Sequence, residues 1–105
     1  MKYIVNAFWK HENPINVEIG IDTMMALRDV FEDEEHVLET IWYQIDEYKH
    51  GSVVIYMSEE SYFAHLEKNT MQRAITAKEG GVTLIKEYKG PAFAIQTELP
   101  DDRTA

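Results

Sequence analysis

Residues 31–48 read FEDEEHVLETIWYQIDEY, crowded with carboxylates, free of lysine and arginine, and carrying a Trp42–Tyr43 pair near the centre. Spaced at 100° per residue, Val37, Leu38, Ile41, Ile45 and Tyr48 fall on one side of a helix. Glu35, Glu39, Asp46 and Glu47 fall on the other side, interleaved with His36, Tyr43 and His50, and Trp42 sits at the border. Asp33 is placed to cap this helix, with Glu34 and Glu35 in the first turn, where the helix dipole favours anions. His50-Gly51 ends it. The spacing therefore predicts an amphipathic helix from Asp33 to His50 with its acids and rings turned outward.

Upstream, YIVNAFW (residues 3–9) is rich in β-branched and aromatic residues, and INVEIGI (residues 15–21) alternates apolar with polar or small. The turn residues HENP between them predict a β-hairpin. Asp22 or Thr23 can cap a short helix, MMALRDVF, on which Met24, Leu27 and Phe31 share a stripe. One long helix kinked near Asp33 is the alternative to two. Downstream, the continuous apolar run SVVIYM (residues 52–57) predicts a central strand covered on both faces. Ser58 caps a third helix, with Phe63 and Leu66 inward, a break at Asn69 or Thr70 and a stop at Gly80-Gly81. VTLIKEY and AFAIQTE around KGP predict a closing hairpin. The order β-β-α-(α)-β-α-β-β implies an α+β two-layer sandwich, with a mostly antiparallel sheet of about five strands and helices on one face. Residues 1–98 are expected to form a single domain and 99–105 a polar tail.

At 105 residues the chain is long enough for one core, and an apolar content of 45% argues against wholesale disorder. Without cysteine it has no disulfide and no thiolate metal site, which agrees with a reducing compartment. The N-terminal apolar run is too short for a signal peptide, and no stretch approaches the ~18 apolar residues of a membrane span. A cytoplasmic location is the expectation.

The net charge of −9 is unevenly spread. From Asp29 to Glu60, Asp29, Glu32, Asp33, Glu34, Glu35, Glu39, Asp46, Glu47, Glu59 and Glu60 face Lys49 alone, and the rest of the chain is neutral. Such a field repels nucleic acid and anionic membranes and attracts basic surfaces. With tyrosine and tryptophan as anchors and acids as a steering rim, the segment reads as a protein-binding surface. The expected role is a small non-enzymatic binding protein of the inhibitor, immunity or anti-defence type, with nucleic-acid mimicry as one form of it. Its partner would be a basic protein surface, on a nuclease or a nucleic-acid-binding protein or complex, with a homodimer also open. The contact residues would be Glu32, Glu35, His36, Glu39, Trp42, Tyr43, Asp46, Glu47 and His50.

Chemistry finds less support. Carboxylates along one helix diverge, whereas a hard cation needs ligands around a common centre. His36 with Glu39, or Asp46 with His50, offers two ligands at most, and no metal motif is present. Neither a metal nor a cofactor is expected. Ser52, Ser58 and Ser61 lack a nucleophile-elbow context, His11 falls in a turn, and Trp9 is expected in the core. The alternative is a small enzyme or small-ligand-binding domain with a pocket between sheet and helices, using Tyr3, Tyr56, Tyr62 or His65 as polar groups.

Overall fold

A computed structural model describes residues 1–30 and 36–100, with side chains placed except at Val30, residues 68–69 and residues 72–79. Its elements are β1 (Tyr3–His11), α1 (Val17–Val30), β2 (Val37–Gln44), β3 (Lys49–Tyr56), α2 (Glu59–Gly80) and β4 (Val82–Pro91), followed by a short 3-10 turn at Gln96–Glu98. The strands form one antiparallel sheet in the order β2-β3-β1-β4. β3 is thus inserted between β1 and β2, so each helix is part of a crossover that skips one strand.

The α+β class and the antiparallel sheet agree with the sequence pattern, but the described sheet has four strands, not about five. Three local assignments account for the difference. Residues 15–21 do not form a strand. Asn16 Oδ1 accepts from the Glu18 and Ile19 backbone amides at 3.0 and 3.2 Å, so Asn16 caps α1 and the apparent alternation is read at helical pitch. Residues 37–50 do not form a helix. They supply β2, the turn and the start of β3. The run Thr40-Ile41-Trp42-Tyr43 is β-branched and aromatic, and suits a pleated surface better than a helix. Asp46 closes the hairpin: its Oδ1 accepts from the Tyr48 amide at 2.8 Å, an Asx-type turn. Finally, residues 92–95 carry no strand, so β4 stands without a hairpin partner after it.

The third helix keeps its sequence-read ends. Ser58 Oγ accepts from the Ser61 amide at 3.1 Å, and Gly81 closes the helix at φ 64°, a left-handed conformation that favours glycine. α2 runs continuously through Asn69 and Thr70, where a break was expected. It packs chiefly on β4, β1 and β3. Tyr62 from α2 meets Tyr3, Val5 and Tyr56 in the buried core, with Val37, Val54 and Leu66 around them.

The opposite face of the sheet carries Ile4, Phe8, Ile41, Val53, Ile55 and Tyr88, and among the described residues no helix packs on it. The strand at residues 52–57 is central as expected, yet covered on one face only. Tyr43 lays its ring over Gly51 on this open face, in the space a Cβ would take.

Candidate functional site

Side chains alternate across the sheet, so Tyr3, Val5, Ala7, Trp9 and His11 of β1 share the helix-facing side. Register places Tyr56 opposite Tyr3, Ser52 opposite Ala7 and His50 opposite Trp9. On the far side of β3, Trp42 lies opposite Ser52, and Gln44 opposite His50. α2 covers the end of this face near Tyr3 and Tyr56. Among the described residues α1 has no comparable packing on any strand. The end carrying Trp9, Trp42, His50 and His11 is therefore only half buried.

These four rings and Ser52 form a cluster. Trp9 Nε1 donates to Ser52 Oγ at 3.0 Å, anchoring the indole to the central strand. The His50 ring is nearly parallel to Trp9, 9° between planes with centroids 6.1 Å apart, and lies 5.8 Å from Trp42 at 53°. His11 meets His50 edge-on, centroids 4.9 Å apart, and its Nε2 stands 2.6 Å from His50 Nδ1. At that distance one nitrogen donates and the other accepts, so a single proton lies between the two rings.

The electrostatics follow from burial. Desolvation, and secondarily repulsion from His11, pushes His50 from 6.5 down to about 4. Desolvation lowers His11 as well. Both imidazoles are thus neutral near pH 7. The result is an uncharged, aromatic-walled surface with one proton-sharing pair at its centre, suited to a flat apolar molecule and to moving a proton. Among the described residues no three potential metal ligands come together.

The sequence-predicted contact set does not converge. Trp42 and His50 join the cluster, and His36 precedes β2, its carbonyl accepting from the Met57 amide. Glu39 and Tyr43 point to the open face, Asp46 and Glu47 sit in the β2–β3 turn, and Glu32 and Glu35 lie outside the described residues. Of the polar groups of the alternative reading, Tyr3 and Tyr56 on the sheet and Tyr62 on α2 form the core, and His65 on α2 is buried beside them. Trp9, His11 and Ser52 were missed. Their signal is Trp-x-His in β1 facing His-x-Ser in β3, visible once both segments are read at strand period.

No family profile and no curated protein matches the chain. Solved structures do. A dimeric ferredoxin-like protein from an uncultured marine organism superposes with a TM-score of 0.68 at 14% identity, over 90% of this chain and 97% of that one. SnoaB, a cofactor-independent oxygenase from Streptomyces nogalater, gives a TM-score of 0.66 at 7% identity, over 92% of this chain and 98% of its own. A Nitrosomonas europaea protein of unknown function gives 0.56 at 14% identity, over 97% and 98%. The fold is accordingly ferredoxin-like, an α+β architecture with an antiparallel sheet.

These findings overturn the inhibitor reading. From Val37 on, the expected acidic helix is a hairpin, its described carboxylates Glu39, Asp46 and Glu47 do not share one helix face, and the fold is one found in an oxygenase and in a dimeric ferredoxin-like protein. The expectation of a non-enzymatic protein, the nucleic-acid mimicry and the nuclease or other basic partner fall with it.

Proposed function

We propose that this chain is a small-molecule-binding protein of the enzyme kind, taking a planar aromatic molecule on the Trp9–Trp42–His50 surface and exchanging a proton with it. The observation that carries the reading is a neutral, hydrogen-bonded imidazole pair between two indoles on the uncovered half of the helix-facing sheet. Aromatic walls supply affinity through stacking and apolar burial, and the few polar groups between them orient the molecule. SnoaB is an oxygenase without a cofactor, which supports reading this scaffold as one that can host chemistry from side chains alone.

The test uses a convenient property: Trp9 and Trp42 are the chain's two tryptophans, so all indole emission comes from this surface. Titration with 1-naphthol or 4-nitrophenol should quench that emission saturably. Trp42→Ala should weaken binding about five- to tenfold, the effect of losing one stacking contact worth roughly 1–1.5 kcal/mol. An unsaturable response in the wild type overturns the reading.

The same proposal includes a second copy of the chain on the open sheet face. Among the described residues no helix buries its apolar side chains, and a ferredoxin-like protein of the same fold is dimeric.

A further inference from the structure

Resting on that site, we infer that His11 is a positioning and relay residue for His50: a proton taken up at His50 Nε2 is passed from His50 Nδ1 to His11 Nε2 and leaves from His11 Nδ1. The geometry carries this. His11 Nε2 and His50 Nδ1 are 2.6 Å apart, so the bond between them already holds one proton that either ring can own. The pair sits on adjacent strands of a rigid sheet: His11 N donates to Tyr48 O at 2.7 Å, and Trp9 lies alongside His50 within 9° of parallel. Both imidazoles are thereby held in register by backbone pairing, with His50 between the two indoles and His11 at the end of β1.

The relay solves a difficulty that His50 alone could not. Its surroundings strongly disfavour an imidazolium, so a proton left on His50 after transfer would be costly. Passing the opposite proton on as the new one arrives keeps His50 neutral throughout. The balance is complete: the O–H bond of the bound phenol breaks and leaves a phenolate, one N–H bond forms at His50 Nε2, one breaks at His50 Nδ1, one forms at His11 Nε2, and one N–H bond at His11 Nδ1 breaks as the proton goes to water. The resting tautomer that accepts has Nδ1–H on both rings, and after passage both carry Nε2–H. Once the ligand has left, the reverse passage restores them: water gives a proton to His11 Nδ1, the shared proton returns from His11 Nε2 to His50 Nδ1, and His50 Nε2 releases its proton to water. Among the described residues, Glu12 lies against Gly81, and Asp46 pairs with Lys49 at 4.0 Å in the β2–β3 turn. The charge that acts on His50 is that of His11.

Two measurements test it. In the ligand-free protein, the imidazole 15N resonances near pH 7 should show His50 Nδ1 and His11 Nε2 at averaged positions between those of a protonated and an unprotonated nitrogen. His11→Gln should collapse His50 to one fixed tautomer. If His50 already holds a single tautomer in the wild type, unchanged in the variant, the relay is overturned. The second probe is 4-nitrophenol, whose phenolate absorbs visibly and whose phenol does not, held at about pH 6, where its phenol form prevails. A relay sets how fast the bound probe gains and loses its proton, not how much phenolate stands at equilibrium. After a rapid pH jump the phenolate absorbance of the bound probe should relax at least about tenfold more slowly in His11→Gln, and in His11→Phe as a second variant that keeps a ring without nitrogens, each protein being saturated with probe according to its own indole quenching. Relaxation rates equal to that of the wild type sink the relay. Absence of quenching in the wild type sinks the aromatic-ligand reading, and the 15N spectra then decide the relay alone.

Discussion

His50 is neutral because its surroundings exclude water and because its nearest titratable neighbour is another imidazole. A histidine held at about 4 in the folded state, against 6.5 when unfolded, binds its proton on unfolding anywhere between those values. Its contribution to stability is therefore present above about pH 6.5 and is lost as the pH falls towards 4. The loss should amount to roughly 2 kcal/mol once solvent screening of a half-buried ring is allowed for. Urea unfolding at neutral pH and at about pH 4.5 measures it, and His50→Gln, which does not titrate, should show a markedly smaller drop across the same interval. Equal drops would place the destabilisation elsewhere. The residue was visible in the sequence as a ring at the end of an acidic stretch, but its partners were not. Trp9 and His11 lie some forty positions away, and only the β1–β3 register brings them to it.

At the scale of elements, the sequence was most readable where one residue type has one local use. Ser58 and Gly81 bound α2 because a side-chain oxygen and a left-handed backbone are needed at those two places. Ser58→Ala should cost about 1 kcal/mol, read as a lowered urea midpoint with unchanged slope. The segment from Val37 to His50 was less readable because its apolar residues satisfy two periods. Val37, Ile41 and Ile45 recur at a helical spacing, yet Thr40, Trp42 and Gln44 also alternate cleanly with Ile41 and Tyr43. Strand pairing with β3 settles the matter, since it satisfies backbone groups and buries Trp42 against the cluster in one step. INVEIGI failed by the same ambiguity in reverse: Asn16, taken as the wet side of a strand, is the α1 cap.

For the whole molecule, class was legible and topology was not. Alternating and continuous apolar runs fix how many elements need a partner, but strand order depends on contacts distant in sequence, such as Tyr3 with Tyr56 and with Pro91. Among the described residues the same order leaves one sheet face without a helix. If a second copy covers it, Val53→Lys with Ile41→Lys should convert a dimer to a monomer by light scattering while leaving the circular dichroism spectrum and the indole response to naphthol in place. A wild-type protein that is monomeric at high concentration would rule the pairing out.

The acidic stretch has a consequence of its own once its true placement is known. Among the described residues β2 is an edge strand, paired on one side only, and its Thr40 amide is taken by the Glu39 carboxylate at 3.0 Å. Glu39 lies on that edge, and Asp46 and Glu47 stand at its turn. Like charges there repel any identical strand that approaches to extend the sheet. A strand rim beside an apolar face would otherwise invite growth into fibrils, and the carboxylates oppose that growth.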